Sequence, residues 1–235
     1  HASATRSRHP VGDGDPATAA ASEDEIAYLL AAVARYLARP PVRADVVHTF
    51  AGVRPLHEES ESKSASAASR DYKIHASTPS GLPPLVSVLG GKITTYRQLS
   101  ETVVDGLSRY FPAMGPAWTA GAALPGGDLG GGDFQDFVGG LSRRLPSLPA
   151  ELLARLARRH GSLTEHVLDG ATDTAGLGEH YGGDLYDCEV RYLRDREWAR
   201  TAEDILWRRT KVGLHLSAIQ RARAAAMIER PSRVA

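Results

Sequence analysis

The chain has 235 residues, 42% of them hydrophobic, which is enough for one large domain or two small ones with a real core. Lysine plus arginine and aspartate plus glutamate both number 28, so no long-range field favours nucleic acid or an anionic membrane, and any basic site must be local. A single cysteine, Cys188, excludes an internal disulfide and a cysteine-rich metal cage, and its expected place is buried in a helix.

Residues 1–21 are small and polar, lack periodicity and begin with His1; they read as a flexible segment of a chain cut from something longer. A helix is predicted over residues 22–37, because Ser22 and Glu25 form a capping box and Ile26, Leu29, Leu30, Val33 and Leu37 share one face. Residues 45–53 carry Val46, Val47, Thr49, Phe50 and Val53 and predict a strand, ended by Pro55. A solvated Glu- and Ser-rich loop follows. Residues 71–76 and 84–89 then predict an antiparallel pair turning through Pro79, Ser80 and Gly81. The second strand runs into Gly90-Gly91-Lys92-Ile93-Thr94-Thr95 and a helix reaching about residue 110, with Leu99, Val103 and Leu107 inward.

Prolines and the PGGDLGGGD cluster make residues 112–133 a linker. Beyond it, helices are predicted at residues 134–145, 149–160, 163–168, 185–197, 202–209 and 217–228. The fold class is therefore α+β: a first region at residues 22–111 with strands and a helix, and a separate all-helical domain at residues 134–235. No apolar run approaches the roughly 20 residues that span a bilayer.

The double glycine before a helix permits close backbone approach, and the free N–H groups of the first turn favour a negative partner. Lys92, Thr94 and Thr95 add a cation and two hydroxyls, although a plain strand-to-helix turn has the same pattern. Arg54 and Arg70 read as surface ion-pair residues, or as forks that join Lys92 around a phosphorylated substrate. His57-Glu58-Glu59 lacks the second histidine of a zinc helix, and His160 and His166 do not share a helical face, so no metal site is expected. The basic stretch from Arg191 to Lys211, with Trp198 and Trp207, reads as a salt-bridged helix face or as a surface for lipid or a partner protein.

The segments HTFAGVRPL (48–56), SRDYKIH (69–75), LVSVLGGKITTYRQLSE (85–101), GPAWT (115–119), LPGGDL (124–129) and YLRDREWARTAEDILWRRTKVGL (192–214) resemble, in order and spacing, the C-terminal half of the FAD-dependent glycerol-3-phosphate dehydrogenases. The resemblance implies oxidation of sn-glycerol 3-phosphate to dihydroxyacetone phosphate, with FAD accepting hydride and passing electrons to quinone. It implies substrate-phosphate binding by Arg54 and Arg70, a catalytic Lys92 near flavin and substrate, and Gly90, Gly91, Lys92, Thr94 and Thr95 against the isoalloxazine. A cytoplasmic enzyme with peripheral contact at the inner membrane face, homodimeric at full length, is implied too. His48, Phe50 and Ala51 depart from the Trp, Tyr and Ser more often found in bacterial members.

The sequence has no G-x-G-x-x-G after a strand and no counterpart of the family's catalytic histidine. The chain alone is therefore expected neither to hold FAD tightly nor to turn over substrate, and to expose apolar patches that lower its solubility. Two other functions fit the same residues: a peroxide-forming oxidase of the same family, or a non-enzymatic helical interaction module.

Overall fold

The computed structural model describes residues 18–52, 71–80 and 82–230, which fall into two compact units, His1–Ala122 and Ala123–Ala235. Helix α1 (Glu23–Ala34) opens the first unit. Its capping box forms as the sequence requires: the Glu25 amide donates to Ser22 Oγ at 3.3 Å, and the Ser22 amide to Glu25 Oε2 at 2.9 Å. A 3-10 turn, Arg43–Asp45, is tied back to α1 by the Arg43 guanidinium, which donates to both carboxylate oxygens of Glu23 at 2.8 Å.

Residues 46–52 form no strand, contrary to their β-branched composition. A strand needs a ladder partner, and none of the described residues provides one here, so Val47 and Phe50 stay exposed. The predicted hairpin does form. β1 (Tyr72–Ser77) and β2 (Leu85–Gly90) pair antiparallel with Ile74 opposite Val88 and Ala76 opposite Val86. α2 (Tyr96–Leu107) follows, and a hydrogen bond of 3.0 Å between Thr78 Oγ1 and Tyr110 Oη links its far end to the hairpin's connection. Among the described residues of this unit only Ile26 is a buried hydrophobic.

The second unit is built differently. It is helical, with α3 (Phe134–Arg144), α4 (Ala150–His160), α5 (Thr164–Leu168), α6 (Asp187–Arg196) and α7 (Ala218–Ile228), together with a short hairpin of β3 (His180–Gly182) and β4 (Leu185–Tyr186). Its architecture with the first unit is α+β, with a helical C-terminal domain. One core cluster gathers Leu141, Leu153, Leu156, Val167, Leu168 and Leu177; the other gathers Leu185, Leu193, Ile205, Val212, Leu216 and Ile228. α6 serves both, giving Cys188 to the first and Val190 and Leu193 to the second. Burial pushes the Cys188 thiol up to about 11.

The predicted helix at 202–209 is largely a π-helix, Asp204–Arg209, closed by the Thr210 amide donating to Ile205 O at 3.1 Å. Asp204 accepts from the amides of Arg200 and Thr201, both at 3.0 Å, and Thr201 Oγ1 accepts from the Asp204 amide at 3.1 Å. Those backbone donors, Arg200 first, hold the Asp204 carboxyl down at about 2 against an ordinary 3.8. A depressed carboxyl stabilises fully above its unfolded value and stops doing so as the pH falls through its folded value, here from 3.8 to about 2. Asp204→Asn is expected to cost about 1 kcal/mol at neutral pH. It should also flatten the acid limb of the stability curve over that window, as urea titrations from pH 5 to about pH 2 would read.

Candidate functional site

The turn between β2 and α2 gathers five of the residues singled out in the sequence. Gly90 (φ 69°) and Gly91 (φ 95°) are both left-handed, a conformation that L side chains rarely adopt. Gly91 is also required by proximity, since a Cβ there would lie 2.9 Å from the Cβ of Tyr72 on the neighbouring strand. Lys92 follows in extended conformation and caps the 3-10 turn Ile93–Thr95. Its carbonyl accepts from the Thr95 amide at 3.1 Å and from Thr95 Oγ1 at 2.9 Å. The Thr95 hydroxyl is thus spent inside the turn, whereas Thr94 and Lys92 are exposed and Lys92 forms no ion pair among the described residues. Beside them Ile93 is 84% exposed. Behind the turn, Arg97 pairs with Glu101 one helical turn on and donates to Thr119 Oγ1 at 3.1 Å, anchoring α2 to the chain that leaves it. Arg54 and Arg70 lie outside the described residues.

A second cluster, in the second unit, was not evident from the sequence. Glu189 is 1% exposed on α6, and its Oε1 lies 2.7 Å from His160 Nε2 and 3.2 Å from Arg159 Nε, both on α4. Arg159 Nη2 also donates to Asp184 at 2.8 Å, and the Tyr192 ring meets the His160 ring edge-on at 5.4 Å. The Arg159–Glu189 approach lacks hydrogen-bond alignment, and Glu189 Oε2 makes no hydrogen bond among the described residues. Glu189 stands between Cys188 and Val190, which belong to different core clusters.

The C-terminus of α4 also receives the Leu124–Gly127 loop. Ser162 donates its amide to Gly126 O at 3.0 Å, and Gly161 sits so near that a Cβ on it would fall 1.8 Å from the same oxygen. An open cleft of about 530 Å³ lies along this contact, lined by Leu124, Pro125, Leu129, Phe134, Arg158 and His160.

Residues 117–230 match the family described as the C-terminal domain of alpha-glycerophosphate oxidase. The chain is similar to the glycerol-3-phosphate dehydrogenase of Pseudomonas aeruginosa, 49% identical over 89% of this chain and 41% of that protein. It is similar to the D-erythritol 1-phosphate dehydrogenase of Brucella abortus, 45% identical over 89% of this chain and 41% of that protein. It is similar also to the aerobic glycerol-3-phosphate dehydrogenase of Escherichia coli, 43% identical over 89% of this chain and 42% of that protein. The chain is thus similar to glycerol-3-phosphate dehydrogenases over most of its length, and spans about 41% of the length of the relatives it matches. No described helix is long and apolar enough to cross a membrane.

Proposed function

We propose that this chain supplies the flavin-edge and substrate-phosphate part of a dehydrogenase that oxidises sn-glycerol 3-phosphate to dihydroxyacetone phosphate, with FAD as first acceptor and quinone as the next. The observation that carries the reading is the Gly90–Thr95 turn: an exposed ammonium without an ion-pair partner among the described residues, beside left-handed glycines at a helix start. It lies inside a match of 43–49% identity to enzymes named for that reaction.

The residues present fit one edge of a flavin ring. Bare glycine backbone would allow an aromatic plane to approach, Ile93 would offer apolar contact, and the opening amides of α2 would favour a group that gains negative charge. Nothing comparable for the nucleotide end is found among the described residues. When bound, FAD would take a hydride from the C2 carbon of the substrate while the hydroxyl proton leaves to a base. The turn's own contribution is positional and electrostatic. Lys92 holds its charge where the phosphorylated alcohol meets the ring, Gly90 and Gly91 set the approach distance, and Thr94 adds a hydroxyl donor. Arg54 and Arg70 are assigned to the phosphate, because a guanidinium fork can donate two parallel hydrogen bonds to phosphate oxygens. A homodimer and peripheral membrane contact belong to the same reading of the full-length enzyme.

The test is a full-length chimera in which this chain replaces the matching portion of the Pseudomonas aeruginosa relative. Anaerobic glycerol 3-phosphate should bleach its flavin absorbance, whereas added FAD should remain free and unbleached with the present chain alone. Arg54→Ala is expected to raise KM about 10- to 100-fold, the size of a lost charge-assisted pair. Unchanged kinetics in both Arg54→Ala and Lys92→Met would remove this site from the reaction and favour the interaction module. A second reading concerns the final acceptor, since the matching domain family is named for an oxidase. Peroxide formation with oxygen, at the expense of a quinone analogue, would establish it. D-erythritol 1-phosphate belongs in the same assay, given the Brucella similarity.

A further inference from the structure

The cleft of about 530 Å³ beside the α4 C-terminus has the size of a small-molecule site. Along it the Leu124–Gly127 loop and α4 meet backbone to backbone. A Cβ on Gly126, which has φ 82°, would fall 2.5 Å from His160 O, and one on Gly161 would fall 1.8 Å from Gly126 O. Three lining residues, Arg158, Arg159 and His160, are basic and none is acidic, in a chain whose acidic and basic side chains are equal in number. Two of the three are already committed to carboxylates. Arg159 Nη2 donates to Asp184 at 2.8 Å, and His160 Nε2 lies 2.7 Å from Glu189 Oε1. Arg158 is different: it is exposed, its guanidinium makes neither an ion pair nor a hydrogen bond among the described residues, and it rests 5.2 Å from the centroid of the Phe134 ring. A cation–π contact holds the charge at that wall and leaves its N–H groups free to donate. Leu124, 59% exposed, and Leu129 add apolar surface to the same lining.

We infer that this cleft is a binding site for a small organic oxyanion with an aromatic body, its phosphate or carboxylate on the Arg158 fork and its ring against Leu124, Leu129 and Phe134. The charge decides the sign of the ligand, because a cation would meet a spare guanidinium and no carboxylate in the lining. The apolar lining decides the body, because a polyol would place hydroxyls against side chains that cannot pair with them. The site belongs to the second unit, whereas the Gly90–Thr95 turn belongs to the first, and it does not depend on the dehydrogenase reading. When bound, the ligand joins the Leu124–Gly127 loop to α4 alongside the Ser162–Gly126 hydrogen bond, so it stabilises the second unit.

Phenyl phosphate is the probe, titrated into the isotope-labelled chain while NMR follows the amides of Gly127, Gly161 and Ser162. Saturation with a dissociation constant of about 1 mM is expected, the scale for a ligand of so few heavy atoms. Inorganic phosphate and glycerol 3-phosphate should bind at least about 5-fold more weakly, for want of the apolar body. Arg158→Ala should weaken phenyl phosphate about 10-fold. Arg143→Ala, which removes an exposed arginine of α3 outside the lining, should leave it unchanged. Leu124→Ser should weaken phenyl phosphate about 3-fold without affecting inorganic phosphate, and unaltered α6 and α7 amides show that the variants are folded. No saturable response, equal losses in the two arginine variants, or glycerol 3-phosphate binding as tightly as phenyl phosphate would overturn the site. So would a chimera in which the same amides do not respond, since another part of the enzyme would then fill the cleft.

Discussion

Alanine at Gly161 is expected to cost the second unit at least about 4 kcal/mol, enough to unfold a marginal domain at room temperature. Two effects add. Gly161 has φ 56° and ψ −133°, a combination accessible to glycine and strained for any L residue. Its new Cβ would also fall 1.8 Å from the Gly126 carbonyl oxygen, and the obstacle is backbone rather than a side chain able to swing away. Relief requires the Leu124–Gly127 loop to leave α4, which breaks the Ser162–Gly126 hydrogen bond and opens the lining of the cleft. Urea unfolding followed by helical circular dichroism would read the loss. Alanine at Gly170, also left-handed but with nothing within 4 Å of its Cβ position, isolates the conformational share and should cost about 1 kcal/mol. Equal losses at the two sites would mean that the loop does not hold its place against α4.

Glu189→Ala should destabilise the same unit by about 3 kcal/mol. Among the described residues this carboxylate is the one acceptor that reaches both His160 and Arg159, and removing it leaves the His160 ring nitrogen without that hydrogen bond inside the core. Arg159 keeps Asp184, which limits the damage. Glu189→Gln preserves size and one acceptor and should cost about half as much, because one carboxylate oxygen makes no hydrogen bond to lose. The cluster lies where α6 passes from one core to the other, so its loss should lower the cooperativity of unfolding, visible as a reduced m-value. A Glu189→Ala protein as stable as the parent would show that desolvation cancels the pairing.

The helices were the most legible part of the sequence, because their signals are local. Ser22 and Glu25 mark the start of α1, and the apolar spacing of Leu152, Leu153, Leu156 and Ala157 marks α4. Non-local features were hidden. Residues 46–52 have strand propensity, but propensity does not supply a neighbouring strand. The β3–β4 hairpin is too short, and Gly182 and Gly183 too central to it, for an alternating pattern to appear. The π-helix differs from an α-helix by one residue in its hydrogen bonding, which apolar spacing over a single turn does not reveal. The Glu189–His160 pair joins residues 29 apart on separate helices. At the candidate site the sequence identified the turn from Gly90 to Thr95 through its glycines. It had no means of showing that Thr95 turns its hydroxyl inward to Lys92 O while Thr94 stays exposed.

The three tryptophans are unevenly placed, and that gives the protein a built-in optical readout. Trp118 is 73% and Trp198 is 80% exposed, so two indoles should already emit as if in water in the native chain. Trp207 is the exception, with ring atoms 2.9 Å from where a Cβ on Gly213 would lie and the Arg221 guanidinium 5.7 Å from its ring centroid. Denaturation should therefore move the emission maximum through Trp207 alone and report on the second unit. A shift to shorter wavelength without denaturant would instead mean that something has covered Trp118 or Trp198, and single Trp→Phe replacements would say which.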